Sequence, residues 1–200
     1  TSGLLLGADF FPPATARGGV LAQCIMSGPG ENAENARICY LLAIASARES
    51  IDLASAYFVP DDLSVATLLE ARARGVRVRI IIPALTDSRM GRAVSRSRWG
   101  RLLAAGVEFY QYLPAMDHCK VLIVDEVFVC VGSINFDNRS FSLNDEIALN
   151  TIDRSVARAH LKIFADDLQH SQRITREEFE SRPLYQKLAD ELCGIFRSQF

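Results

Sequence analysis

The 200-residue chain reads as an α/β domain. Short β-branched runs alternate with longer segments of helical pattern along its whole length. With 49% hydrophobic and 23% charged residues, it has the apolar content for one sizeable core. No repeat, low-complexity tract or Ser/Gly linker divides it, so one domain over residues 20–200 is expected after a poorly defined segment, 1–19.

The elements follow in order. Val20 to Met26 reads as a first strand, Glu31 to Glu49 as a helix and Ile51 to Phe58 as a second strand. Asp61 and Asp62 place negative charge at the start of a helix that runs to Arg74 and stops at Gly75. Val76, Val78 and Ile80 alternate with Arg77 and Arg79 in a strand that ends at Pro83. Ser88 to Ala105 is helical, stopped by Gly106, and Val107 to Tyr112 is a strand. Two apolar strands, VLIV and VFVCV, flank a turn at Asp125-Glu126, and a further strand covers Glu146 to Ile152. Asp153 caps a helix reaching about Ser171. Shorter helices near Arg176 to Ser181 and Pro183 to Arg197 close the chain.

A cluster of polar groups interrupts the apolar strand pair. It reads His118-x-Lys120, four residues, Asp125, six residues, Gly132-Ser133-x-Asn135. Polar groups set among buried strands need a reason. His118 and Lys120 stand at i and i+2, on one face of a strand, where they can converge on one anion. A neutral imidazole is a competent nucleophile near pH 7, and the Lys120 ammonium and Asn135 amide suit the oxygens of a phosphate. Ser133 and Asn135 repeat the same spacing, and Gly132 would let the backbone approach a ligand. This is the outline of a phosphoryl-transfer site that works without metal.

The spacing His-x-Lys-(x)4-Asp-(x)6-Gly-Ser-x-Asn resembles the signature of the phospholipase D superfamily. Tyr57-Phe58-Val59-Pro60-Asp61, Arg74-Gly75-Val76, Asp87-Ser88-Arg89, Ala104-Ala105-Gly106-Val107 and Asp137-Asn138-Arg139-Ser140-Phe141 extend the likeness to the C-terminal catalytic half of bacterial cardiolipin synthases. The resemblance covers about residue 20 to the end. It implies a mixed β-sheet flanked by helices on both faces. It also implies a phosphatidyltransferase that forms cardiolipin from two phosphatidylglycerol molecules through a phosphatidyl-histidine, releasing glycerol, with no metal or organic cofactor.

Carried over residue by residue, the catalytic set is His118, Lys120, Asp125 and Glu146, and Lys120, Ser133 and Asn135 bind substrate. The resemblance makes His118 nucleophile or general acid and has Glu146, in Asn144-Asp145-Glu146, hold its imidazole in the reactive tautomer. Asp125, at the turn between two strands, reads as a supporting residue. Two departures are Asp117, where the family has an apolar residue, and Asp145, where it has an aromatic. His160 and His170 read as ordinary helix residues.

One imidazole cannot both attack phosphorus and protonate the leaving oxygen on the opposite side in the same step. Residues 1 to 110 contain no His, so a second motif is expected from an N-terminal half of a longer chain or from a homodimer. The start at Thr1 without a Met favours the first. A net charge of −2 argues against nucleic acid as a partner. The five cysteines lack metal-ligand spacing and read as reduced core thiols.

Two surface readings concern lipid. Arg89, Arg92 and Arg96, with Arg98, Trp99 and Arg101 close by, would make a cationic helix face for anionic headgroups, or a solvated face with carboxylate partners. Leu184, Leu188, Leu192 and Phe196 form an i, i+4 stripe, expected to dock in the core, with interfacial insertion as the other reading. No apolar run reaches the 18 or so residues of a membrane span, and Leu4-Leu5-Leu6 with Phe10-Phe11 is too short for a signal peptide. Contact with the cytoplasmic face of the bacterial inner membrane, with phosphatidylglycerol as substrate, follows from the resemblance, whose membrane helices lie outside this chain. Two alternatives remain: a homodimeric phosphodiesterase or nuclease, and a non-catalytic half that binds anionic lipid.

Overall fold

A computed structural model describes residues 7–10, 12–13, 15, 18–30 and 33–196. Most of the expected N-terminal segment, Glu31 at the first helix start, and Arg197 at the last helix end fall outside them. The elements are β1 (Leu21–Ser27), α1 (Asn35–Ser46), β2 (Ser50–Ser55), β3 (Phe58–Val59), α2 (Asp62–Ala73), β4 (Arg77–Pro83), α3 (Arg89–Ala104) and β5 (Glu108–Tyr112). Then come β6 (Lys120–Val124), β7 (Phe128–Gly132), β8 (Phe136–Asp137), a π-helical turn at Arg139–Leu143, β9 (Glu146–Ile152), α4 (Arg154–Gln169), β10 (Ser171–Ile174), α5 (Arg176–Glu180) and α6 (Leu184–Gly194).

Eight strands form one sheet in the order β1-β9-β7-β6-β2-β4-β5-β10. Strands β2, β4 and β5 run parallel and the other joins are antiparallel, so the sheet is mixed, as expected. Period-two alternation sends neighbouring apolar side chains to opposite faces. Leu53, Ile80 and Leu122 pack under α1, α2 and α3 with Tyr40, Leu68 and Trp99. Ala54, Ile81 and Ile123 pack under α4 with Ala157 and Phe164. Helices therefore cover both faces. The cap expected at Asp153 is formed, its carboxylate accepting from the amides of Ser155 and Val156, and Asp61 and Ser88 also cap their helices, accepting from the amides of Ser64 and Gly91.

Several expectations are corrected. The strand read as Ile51 to Phe58 breaks after Ser55, whose hydroxyl donates to the Tyr57 carbonyl at 2.6 Å and accepts from the Phe136 amide at 3.1 Å. The released β3 pairs with β8 as a separate two-stranded parallel sheet. The helix read to Ser171 stops at Gln169, and β10 adds an edge strand beside β5. Of the α3 arginines, Arg89 and Arg101 are exposed and the others have partners, which is closer to the second reading, a solvated face with local partners. Arg96 pairs with Asp190 and Arg98 with Asp62, while Arg92 is held by the Pro83 and Leu85 carbonyls. Trp99 is core, 1% exposed and stacked on Phe109 with ring centroids 5.0 Å apart. The C-terminal leucine stripe is not core but solvent-exposed. Cys130 is a buried thiol as expected, whereas Cys24 on β1 is exposed. His160 and His170 bond the carbonyls of Val156 and Asp166, as ordinary helix residues do.

Candidate active site

The strand directions gather the motif at one end of the sheet. His118 lies two residues before β6, and Lys120, the first residue of that strand, pairs with Ser55 at the end of β2. Strand β7 runs antiparallel to β6 and delivers Ser133 and Asn135 back to that end. Strand β9, antiparallel to β7, starts there with Glu146. The site thus lies off the carboxyl ends of the parallel strands, where open α/β sheets place ligands.

His118 is exposed and Lys120 is 6% exposed. The Lys120 Nζ lies 2.9 Å from His118 Nδ1 and also donates to the His118 carbonyl oxygen. Burial pulls the ammonium pKa down, against nearby negative groups that include Glu146, Asp117 and Asp137. Tyr57 stands edge-on to the imidazole, with centroids 6.2 Å apart and planes at 87°. Its hydroxyl donates to Asp87 at 2.6 Å, and burial with that carboxylate pushes its pKa up to about 12.

Beside this pair, Asn135 Nδ2 donates to Ser140 Oγ at 3.2 Å, and that hydroxyl donates to Glu146 Oε1 at 2.9 Å. Ser140 is wholly buried. Its amide donates to Asp137 Oδ1 at 2.8 Å, and its carbonyl accepts from Ser27. Burial raises the Asp137 carboxyl to about 6, partly opposed by the Ser140 amide. The π-helical turn, a conformation that recurs at functional sites, is what swings Ser140 between Asn135 and Glu146. Neither Ser140 nor Asp137 was assigned a role from sequence, although both stand in the Asp137-Asn138-Arg139-Ser140 run that carries the resemblance.

The remaining expected site residues are placed differently. Glu146 accepts from Ser140 and, at 3.4 Å, from Asn144; among the described residues it makes no hydrogen bond to His118, so the orienting bond is not formed within this chain. Ser133 exchanges two bonds with Ile147, its Oγ accepting from the amide at 3.1 Å and donating to the carbonyl at 3.3 Å. Its hydroxyl is therefore committed to clamping β7 to β9. Gly132 serves the same join: a Cβ there would sit 2.2 Å from the Ile147 carbonyl oxygen, so the glycine is required by strand approach rather than by a ligand.

Asp125 is not brought to the site. It lies at the opposite end of β6, five residues from Lys120 and hence about 17 Å away at the ordinary strand rise. Its carboxylate accepts from the amides of Arg48, Glu49 and Ser50 at 2.8–2.9 Å, tying the β6–β7 turn to the start of β2. Asp117, the departure beside His118, is bonded to the Cys119 amide and thiol.

A family profile described as cardiolipin synthase, PLD-like domain, matches residues 40–168. The chain belongs to this phospholipase D-like family. It is 39% identical over 184 residues to cardiolipin synthase A of Pseudomonas putida strain GB-1, covering 92% of this chain and 38% of that protein. With cardiolipin synthase 2 of Bacillus cereus it shares 37% identity over 173 residues, 86% of this chain and 33% of the relative. The phospholipase D-like chain thus spans 33–38% of the length of these relatives. Among solved structures, the phospholipase D family member Nuc from Salmonella typhimurium aligns with a TM-score of 0.66 and 26% identity, over 78% of this chain and 99% of that one. Phosphatidylserine synthase of Haemophilus influenzae has the same fold, with a TM-score of 0.68 at 15% identity over 88% and 45% of the two chains.

Proposed function

We propose that the chain is one catalytic half of a phosphatidyltransferase that makes cardiolipin from two phosphatidylglycerol molecules. The observation that carries this reading is the convergence of His118, Lys120 and Asn135 at one sheet end in a chain 37–39% identical to cardiolipin synthases over most of its length. One imidazole of a facing pair attacks the phosphorus of the first lipid. The phosphorus–oxygen bond to glycerol breaks, and the other imidazole gives the departing oxygen its proton, leaving a phosphatidyl-histidine. A hydroxyl of the second phosphatidylglycerol then loses its proton to that same imidazole and attacks phosphorus. The phosphorus–nitrogen bond breaks and cardiolipin leaves.

His118 supplies one imidazole. The other comes from a second catalytic half, in the same longer chain or in a second subunit. The Lys120 ammonium and the free Asn135 amide hydrogen stabilise the charge on the non-bridging oxygens as the pentacoordinate state forms. With imidazole, ammonium and amide groups, each step balances without metal or organic cofactor. Both substrates are lipids, which places the reaction at a membrane surface, on the cytoplasmic face of the bacterial inner membrane in our reading. No helix among the described residues is long and apolar enough to cross a membrane.

The test is His118→Ala in the full-length protein, assayed for cardiolipin formation from phosphatidylglycerol, with circular dichroism to confirm the fold. Activity should disappear. Retained turnover by a folded variant would overturn the assignment.

A further inference from the structure

Tyr57 and Asp87 stand beside the reacting groups, on the side away from Asn135. The sheet order β7-β6-β2-β4 sets the segments at the site end of these strands side by side. Asn135 follows β7, His118 precedes β6, Tyr57 follows β2 and Asp87 follows β4. Adjacent strands are about 4.8 Å apart, so Asp87 lies on the order of 10 Å from the His118 position. Tyr57 fills the interval, its ring edge-on to the imidazole and its hydroxyl 2.6 Å from Asp87 Oδ2.

Tyr57 is fixed at the break between β2 and β3, where its carbonyl accepts from Ser55 Oγ at 2.6 Å and from the Phe136 amide at 3.2 Å. Asp87 has no such duty in its own loop. Ser88 caps α3, and the Thr86 hydroxyl takes the Ser88 amide at 3.1 Å, so the helix start is satisfied without the carboxylate between them. No cation neutralises Asp87 among the described residues. Arg92 is held by the Pro83 and Leu85 carbonyls, and the exposed Arg89 makes no ion pair. The bond from Tyr57 is the one Asp87 has, which leaves Oδ1 without a partner on an exposed side chain.

Toward a ligand this pair offers only acceptors. Burial and the Asp87 carboxylate, with Asp137 adding to them, push the Tyr57 pKa up to about 12, so the phenol keeps its proton and spends it on Asp87. A carboxylate and a phenol oxygen repel phosphate and accept from hydroxyls. Lys120 and Asn135 are the donors, and they suit the phosphate oxygens. We propose that Tyr57 and Asp87 form the subsite for the glycerol headgroup, with Asp87 Oδ1 and the Tyr57 oxygen accepting from its hydroxyls that are not bonded to phosphorus. The proposal rests on the transferase reading above and deepens it by naming the residues that select the alcohol. They touch the alcohol away from the reacting atoms, so they govern specificity rather than bond making.

The test is a competition in the full-length protein, with vesicles of phosphatidylglycerol as donor and isotope-labelled glycerol and n-propanol as acceptors at equal concentration. Mass spectrometry counts the two products. The parent should favour glycerol by at least about tenfold, because n-propanol lacks the hydroxyls that Asp87 would bind. Asp87→Asn and Asp87→Ala should bring the ratio to within about twofold of unity, and Tyr57→Phe should lower it at least about threefold. Asp87 is exposed, so its variants should melt like the parent. A residue that served only the fold would cut transfer to both alcohols alike. An unchanged ratio in the Asp87 variants, or a parent without preference for glycerol, overturns the subsite and leaves the transferase reading standing. A parent that prefers ethanolamine to glycerol also overturns it, since the carboxylate would then be reading an ammonium. A parent that transfers to no alcohol overturns both.

Discussion

Lys120 Nζ stands 2.9 Å from His118 Nδ1. An ammonium can only donate, so Nδ1 is the acceptor and the imidazole proton sits on Nε2. Attack through Nε2 requires the opposite tautomer, with Nδ1–H given to an acceptor, and Glu146 makes no such bond within this chain. Nitrogen NMR of His118 in the free chain should show the Nε2–H tautomer, and a dominant Nδ1–H signal would contradict the geometry. In the full-length enzyme, Lys120→Met should lower kcat/KM by about 10²–10³, the usual effect of removing one oxyanion donor. Arginine should restore little of it, being longer and planar.

Ser140 is predicted to be a positioning residue. Its hydroxyl is the only group that bonds both Asn135 and Glu146 among the described contacts. Ser140→Ala should lower kcat about tenfold with little change in KM, at a stability cost of about 1–3 kcal/mol for the unsatisfied buried partners. Ser140→Thr, which keeps the hydroxyl, should recover kcat at the same melting temperature as the alanine variant or lower. Parallel loss of kcat in both would point to packing alone.

Asp125 should matter to stability and not to chemistry. Three backbone amides converge on its carboxylate at the end of the sheet remote from His118. Asp125→Ala is expected to cost about 2–3 kcal/mol in urea unfolding, since it strands donors that had a charged acceptor. Well below the lowered melting temperature, activity per folded molecule should stay within about twofold of the parent. A folded variant without activity would place Asp125 in the mechanism after all.

Asp137 should make the fold lose stability as pH rises. Burial lifts its carboxyl from 3.8 to about 6, so between those values the folded state binds more protons than the unfolded chain. The contribution therefore falls as pH climbs from about 4 to about 6 and stays lowered above, by roughly 3 kcal/mol for a shift of this size. Asp137→Asn keeps an oxygen to accept the Ser140 amide and removes the charge. It should raise unfolding stability at pH 7.5 by about 1–3 kcal/mol and leave pH 4.5 nearly unchanged. An equal effect at both pH values would refute the burial argument.

Some of the site was legible because strand geometry is local. His118 and Lys120 converge as their i, i+2 spacing requires, and the turn chemistry of Asp125-Glu126, both at positive φ, kept Asp125 away from the reacting groups. Other roles depended on partners that spacing does not specify. Ser133 and Gly132 looked like ligand-binding residues until β9 came to lie against them. Ser140 lay in plain view but gained its role only when the π-helical turn placed it between Asn135 and Glu146.

The same division runs through the whole protein. Alternation, caps and glycine stops determined from sequence alone that strands and helices would follow one another and that a histidine and a lysine would share one strand end. Those features are set by residues within a few positions of each other, where sterics and periodicity leave few choices. Tertiary structure decided what those features touch. Asp190 takes Arg96 from 94 positions away, which makes that α3 arginine an anchor and leaves the leucines of α6 outward. An amphipathic helix can bury either its apolar stripe or its ion pairs, and only the completed packing around α3 selects between them.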